Sequence, residues 1–278
     1  MSLKRHIKSL NQKGYTIIKN VISPAECEIY KKLLNSDYIK YHNSYAKFKQ
    51  KGSSFSKSPD KKTISRDKVV YNLHNKNYRW FKLFEHKKVL RILDYVLKDG
   101  SYDNEAPYYL YNISARCPLK GNPGQQLHVD SELPGLNYNI VTNVMWYFDD
   151  VDELNGTTII VPGSHKLKKF APNDNRKVKK KLYIKAKKGS VLIFNGCLWH
   201  GASEKNTEGS RWALILGYAR WFMKPSFDYM FNTPLKVFKK LKKSQKALLG
   251  FDLVPPKDEF TRRRRRSDFF EKPISKFN

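Results

Sequence analysis

The chain changes its hydrophobic period several times. Over residues 3–20 the apolar positions predict a short helix followed by a strand, Tyr15-Thr16-Ile17-Ile18. Ser23-Pro24-Ala25-Glu26 then carries the chemistry of a helix start: a serine able to cap, a proline suited to the first turn, and a glutamate able to reach back to the cap. This helix is predicted to end near residue 35. Residues 40–66 are rich in Lys, Ser and Asn, with few apolar anchors, and read as a long loop of the kind that serves as a lid or stays disordered. Between residues 78 and 97, Trp80, Phe81, Phe84, Val89, Leu90, Ile92, Leu93, Val96 and Leu97 recur at helical spacing and define one apolar face. From Pro107 the period drops to two, starting with Tyr108-Tyr109-Leu110-Tyr111-Asn112-Ile113. Further strands are predicted at about 127–130, 140–148, 157–161, 182–185, 190–194 and 211–221. The turn signals Leu133-Pro134-Gly135, Asn155-Gly156, Pro162-Gly163 and Lys188-Gly189 separate them. Leu235, Phe238, Leu241 and Leu248 return the pattern to helix. The whole is mainly β with flanking helices, a sandwich or barrel, here a jelly roll. Neither an internal repeat nor an interdomain linker interrupts it, so one domain is expected over residues 1–278, with a β core at about 107–222.

Composition narrows the class. A chain of 278 residues, 40% hydrophobic and 14% aromatic, can bury a substantial core and is globular. No stretch approaches the roughly 18 apolar residues of a membrane span. The charged N-terminus is followed by no apolar segment, so no secretion signal is expected. Cys27, Cys117 and Cys197 are widely spaced and odd in number, which argues for a reducing, cytoplasmic location over a disulfide framework.

One constellation carries chemistry. In Gln126-Leu127-His128-Val129-Asp130, strand alternation would project His128 and Asp130 to one side. A distant imidazole, His200, closes a strand-like run at Ser190-Val191-Leu192-Ile193-Phe194, and Arg211 opens another strand. Two histidines and one carboxylate on one face of a metal, with the opposite positions open, is the ligand set of non-haem Fe(II) oxygenases. His165 and Trp199 read as structural, and Cys197 as a small buried residue.

These residues, with Asn143-Val144-Met145-Trp146, Asn155-Gly156-Thr157-Thr158 and Val161-Pro162-Gly163-Ser164-His165-Lys166, resemble the phytanoyl-CoA dioxygenase family of Fe(II)/2-oxoglutarate-dependent oxygenases. Lys13-Gly14-Tyr15-Thr16-Ile17-Ile18-Lys19-Asn20-Val21 resembles the family's opening, and the likeness covers most of residues 8–255. It implies a cupin-like double-stranded β-helix, and Fe(II), 2-oxoglutarate and O2 as cofactor and co-substrates. His128, Asp130 and His200 would be the metal ligands and the catalytic set. Arg211 would hold the distal carboxylate of the oxoacid, a task for which a guanidinium fork suits better than an ammonium. Trp146 lies where the family places an aromatic against the oxoacid, and Gln126 and Asn143 are candidates to hydrogen-bond its carboxylates. Relatives often carry a hydroxyl residue two positions after the distal histidine; this chain has Ala202. Halogenating relatives replace the carboxylate ligand with a small residue, so Asp130 implies hydroxylation, with desaturation or ring closure within reach of the same oxidant.

The charge balance, 54 basic against 25 acidic residues, gives a net +29. Such a balance attracts anionic partners, though A/T-rich codon usage also produces it. Residues 166–188 hold eleven Lys and Arg against Asp174 alone, a cluster suited to drawing an anionic or carrier-linked substrate towards the pocket mouth. The Lys236–Lys246 region pairs a basic face with an apolar one, which suits docking on the core or on an anionic membrane surface. Arg262–Arg266 is a run of five arginines, with no nucleic-acid fold signature beside it. The expected function is hydroxylation of a small anionic molecule. Two alternatives stay open at this point: an oxygenase acting on a macromolecule such as nucleic acid, and a non-enzymatic binding module on the same fold. Oligomeric state and substrate identity are not legible. Specificity is expected to reside in the segments 40–66, 131–139 and 166–181.

Overall fold

The structure, a computed structural model, describes residues 2–50, 67–98, 108–252 and 259. Helix α1 (Leu3–Lys13) buries His6 and Leu10, one turn apart, and ends where Gly14 enters the left-handed region and its amide bonds the Leu10 carbonyl at 2.9 Å. Strand β1 (Tyr15–Ile18) follows. Helix α2 (Pro24–Gln50) opens with the expected reciprocal cap: Ser23 N–H donates to Glu26 Oε2 at 3.0 Å and Glu26 N–H to Ser23 Oγ at 3.2 Å. It runs well past residue 35, so residues 40–50 are helix and not loop. Its packed first turns, with Cys27, Tyr30 and Leu34 buried at helical spacing, supply the nucleus. A polar, lysine-rich sequence can then propagate without further anchors. The remainder of the predicted loop and the Arg262–Arg266 run lie outside the described residues.

The apolar stretch at 78–97 is broken into a 3-10 turn (Tyr78–Trp80), α3 (Phe81–Phe84) and α4 (Lys87–Leu97). Its predicted face is buried nonetheless, through Trp80, Phe81, Phe84, Val89, Ile92, Leu93 and Leu97. The C-terminal apolar stripe likewise divides, into α5 (Tyr229–Asn232), α6 (Leu235–Phe238) and α7 (Lys243–Leu248). Phe238, Leu241 and Leu248 are buried, whereas Leu235 is exposed.

Nine further strands form, with β1, two sheets. They are β2 (Asp67–Tyr71), β3 (Tyr108–Pro118), β4 (Gln125–His128), β5 (Val141–Tyr147), β6 (Thr158–Ile160), β7 (Leu182–Tyr183), β8 (Val191–Asn195), β9 (His200–Ala202) and β10 (Ala213–Arg220). The larger sheet has the order β1-β8-β5-β10-β3-β2 and the smaller β4-β9-β6-β7, every pairing antiparallel. This is the jelly-roll arrangement that the alternation predicts, with β2 as an edge strand too short and polar to stand out in the sequence.

Strand β5 shows how the layers are built. It is buried throughout, because both faces are covered. Val144, Trp146 and Phe148 face the helices and join the main core, where Tyr30 stacks on Phe148 at 5.3 Å between ring centroids. Asn143, Met145 and Tyr147 face the small sheet instead. The helices thus close one face of the large sheet, and the other is left for a cavity between the sheets. No helix among the described residues is long and apolar enough to cross a membrane.

His74 is fully buried edge-on to Tyr229, with ring centroids 5.1 Å apart, and neither nitrogen has a hydrogen-bond partner among the described residues. Burial, reinforced by Lys76, depresses its pKa to about 3. The unfolded chain would bind this proton near pH 6.5, so the stabilisation is complete above that pH and falls as pH drops towards 3. Denaturant melts of His74→Phe should therefore show an acid-side slope shallower than that of the parent by about 1 kcal/mol per pH unit between pH 6 and 4.

Candidate active site

A cavity of about 690 Å³ lies between the sheets, and His128, Asp130, His200 and Arg211 all line it. His128 is the last residue of β4 and His200 the first of β9, and the two are directly paired across the small sheet, with ring centroids 4.2 Å apart. Asp130 reaches the same point without belonging to a strand. After β4 ends, the Asp130 and Ser131 amides donate to the Gly196 carbonyl at 2.9 and 3.0 Å, turning the carboxylate inward. The expected strand alternation of the His-x-Asp pair is thus replaced by a bend with the same outcome. Arg211 likewise precedes its strand and does not open it.

Potential ligand atoms of His128, Asp130 and His200 fall within 4.8 Å of one another. Each imidazole has Nδ1 at 3.0 Å from a backbone carbonyl, that of Gln126 for His128 and of Leu198 for His200. A carbonyl can only accept, so each Nδ1 donates its proton there, and Nε2 is the nitrogen each imidazole turns to the centre. The Nε2 atoms lie 3.5 and 3.2 Å from the Asp130 carboxylate. Asn143 Nδ2 donates to Asp130 Oδ2 at 2.8 Å and holds the carboxylate in place. Burial alone would raise the Asp130 pKa, but the facing His200 and His128 outweigh it and hold the carboxyl well below its usual range. Burial would lower that of His128; its bonds to Asp130 and to the Gln126 carbonyl prevail and raise it, with the positive charge of Arg116 opposing. The donor set, two imidazoles and one carboxylate, could hold a single Fe(II) with the far side open.

Arg211 is 5% exposed, its pKa lowered by burial. Its Nη2 donates to the Gly156 carbonyl, while Nε has no partner. No carboxylate among the described residues pairs with it. A guanidinium enclosed without a counter-ion is costly unless an anion completes it, so the residue fits the carboxylate of a bound oxoacid.

The remaining predicted site residues separate. Asn143 lines the cavity, but bonded to the Asp130 carboxylate. Gln126 does not line it: the pairing of β4 with β9 shifts between Gln125 and His128, leaving the Gln126 side chain exposed while its carbonyl orients His128. Trp146 is on the wrong face altogether. Residues an odd number apart on a strand point to opposite sides, so Trp146 cannot share a wall with Asn143, and it packs in the main core edge-on to His86 at 5.4 Å. The segments 131–139 and 166–181, expected to carry specificity, contribute no lining residue, and neither does the rest of the lysine cluster up to residue 188. His165 sits in the structural role expected of it, near Asn11.

The polar wall that the sequence reading missed is Asn112, Ser114 and Arg116 on β3, together with Asp67 on β2 and Thr158 on β6. A signal was present: Asn112, Ser114 and Arg116 alternate with Ile113, Ala115 and Cys117, and the period of two continues to residue 117, beyond the Ile113 at which the predicted run stops.

A family profile described as phytanoyl-CoA dioxygenase (PhyH) matches residues 10–213. The chain belongs to the phytanoyl-CoA dioxygenase family. Among relatives, the uncharacterized protein YJR154W of Saccharomyces cerevisiae is 30% identical over 112 residues, 39% of this chain and 32% of the yeast protein. Dioxygenase cdmA of Talaromyces verruculosus is 27% identical over 227 residues, 76% of this chain and 70% of that protein. For the first of these relatives, then, the chain spans only about a third of the length. HygX from Streptomyces hygroscopicus, crystallised with nickel, 2-oxoglutarate and hygromycin B bound, superimposes with a TM-score of 0.61 at 17% identity, over 80% of this chain and 89% of HygX. That likeness confirms the cupin-like fold of this phytanoyl-CoA dioxygenase family member.

Two outcomes test the geometry. At Gly201 an added Cβ would lie 2.4 Å from the Gln125 carbonyl and 3.0 Å from that of Gln126, the group that orients His128. Gly201→Ala should therefore push β4 away and weaken Fe(II) binding at least about tenfold in an anaerobic metal titration. Trp146→Phe should cost about 1–2 kcal/mol in denaturant melts, with 2-oxoglutarate affinity unchanged within about twofold; a large loss of that affinity would return Trp146 to the pocket.

Proposed function

We propose that this chain is an Fe(II)- and 2-oxoglutarate-dependent dioxygenase, a single catalytic domain in the cytoplasm, that hydroxylates a small anionic organic molecule and releases succinate and CO2. The observation that carries the reading is the meeting, in one cavity, of an open two-histidine, one-carboxylate set and a buried guanidinium with no counter-ion among the described residues. His128 and His200 would hold iron through Nε2, and Asp130 through the carboxylate that Asn143 steadies. Arg211 would anchor the distal carboxylate of the oxoacid. When bound, iron and oxoacid supply the coupled oxidation in which O2 is reduced, the oxoacid is decarboxylated and the substrate gains a hydroxyl. The chain's own task is positioning. The Nδ1–H bonds to the Gln126 and Leu198 carbonyls turn both Nε2 atoms to the centre, Asp130 stays ionised at neutral pH, and Met145, Phe194 and Ile215 give the cavity an apolar lining that limits water. Names among the family relatives, such as cdmA, support the dioxygenase reading, as do the nickel and 2-oxoglutarate of HygX. Three free, buried cysteines suit a reducing compartment.

Anaerobic titration should show Fe(II) and 2-oxoglutarate binding to the same protein, and admitting oxygen should release succinate slowly even without substrate. His128→Ala should abolish both iron binding and succinate. Arg211→Lys should keep iron but need roughly tenfold more 2-oxoglutarate, since an ammonium cannot make the paired hydrogen bonds of a guanidinium. Freshly prepared wild-type protein that takes up no Fe(II) would refute the assignment.

A further inference from the structure

The cavity holds a second guanidinium, and the oxoacid has no use for it. On the reading above, the metal and Arg211 between them occupy both carboxylates of 2-oxoglutarate. Arg116 then remains. It lies on β3, half-buried, on the same strand face as Asn112 and Ser114, and it lines the cavity. Its cross-strand neighbour on β10 is Ala213, a side chain small enough to leave lateral room. Among the described residues the Arg116 side chain makes no hydrogen bond and no ion pair. The nearby acid lining the cavity, Asp67, accepts a hydrogen bond from Asn122 at 3.1 Å and stands in no ion pair with Arg116. Arg116 shares the cavity with His128, Asp130 and His200. It is therefore a cation facing the reacting region with no counter-ion among the described residues, beside two polar side chains, Ser114 and Asn112, that lie 3.4 Å apart.

The rest of this wall is aromatic. Tyr71, Tyr111 and Phe227 line the same cavity, and the Tyr71 and Phe227 rings are 5.3 Å apart. The wall thus sets flat apolar faces beside short polar groups, Tyr71 being the cross-strand partner of Ser114, with a guanidinium further along β3. A guanidinium recognises planar or tetrahedral oxyanions through paired hydrogen bonds, and aromatic rings take an apolar body with little ordering cost.

We infer that Arg116 is the specificity-determining residue for the primary substrate, binding its oxyanion, a carboxylate or a phosphate, while an apolar portion lies against Tyr71, Tyr111 and Phe227. The inference rests on the oxygenase reading and extends it from a reaction type to a substrate class. Selection would come from a fixed strand residue inside the cavity, and not from the lysine-rich surface segments.

The test uses the full chain loaded with Fe(II) and 2-oxoglutarate under anaerobic conditions. Calorimetric titration compares phenylacetate with its neutral counterpart phenylethanol, and, separately, methyl phosphate. Wild type should bind at least one of the two anions about tenfold more tightly than the alcohol, and the preferred anion identifies the source as carboxylate or phosphate. Arg116→Gln should lose that preference, and Arg116→Lys should retain part of it, since the charge remains while the fork is lost. The affinity for 2-oxoglutarate, read on the same samples, should change less than about twofold in both variants. Three results would overturn the inference: no preference for either anion in the wild type, an undiminished preference in Arg116→Gln, or a loss of 2-oxoglutarate affinity in Arg116→Gln, which would assign the residue to the oxoacid. Wild type that binds no 2-oxoglutarate overturns the oxygenase reading as well; wild type that binds it but ignores both anions overturns this inference alone.

Discussion

Two amides converge on one carbonyl, and the centre depends on it. The Asp130 and Ser131 N–H groups both donate to the Gly196 carbonyl, in the turn between β8 and β9. That turn is itself tied down on both sides. The Gly196 amide donates to the Val141 carbonyl at the start of β5, and the Asn195 amide donates to the Gly14 carbonyl at the end of α1. The carboxylate is therefore positioned by the large sheet while the two imidazoles belong to the small one. A metal set drawn from both layers holds its shape only while the layers keep their spacing. The main core, filled by α2, α3 and α4 against one face of the large sheet, is what maintains it.

Charge inside the cavity follows a different logic from charge outside. The surface carries a large excess of cations that solvent and salt screen. The interior instead places a few charges at defined points: the Asp130 carboxylate between two imidazoles, the Arg211 guanidinium enclosed beside the Gly156 carbonyl, and the Arg116 guanidinium on β3. In a medium of low dielectric these few groups act more strongly than the many lysines outside. Net charge was thus a poor guide to the site, and the alternation of residue types along single strands was a better one.

The jelly roll, the capped start of α2 and the meeting of His128, Asp130 and His200 were legible because each depends on local spacing or on residue types rarely combined otherwise. Other features were hidden for identifiable reasons. The length of α2 was missed because a helix once nucleated tolerates a polar sequence. The inward turn of Asp130 depends on a carbonyl far along the chain, so no local pattern announces it. Gln126 was misplaced by a register shift that disturbs strict alternation on β4. Trp146 was an error that the alternation itself could have prevented, since Asn143 and Trp146 cannot face the same way on one strand. Asn112 lies within the predicted run, and Ser114 and Arg116 lie on the part of β3 beyond Ile113, where the alternation continues past it.

The double-sided character of β3 and β5 bears on how such a protein can change over generations. Along β5, Asn143 and Met145 meet the cavity while Val144 and Trp146 meet the core; along β3, Asn112, Ser114 and Arg116 meet the cavity while Ile113, Ala115 and Cys117 are buried behind them. Heritable change at one set of positions alters which molecule fits, and change at the other alters whether the chain holds together. Because the two sets interleave residue by residue along rigid strands, a lineage can explore new chemistry one side chain at a time without first remodelling a loop or surrendering its scaffold.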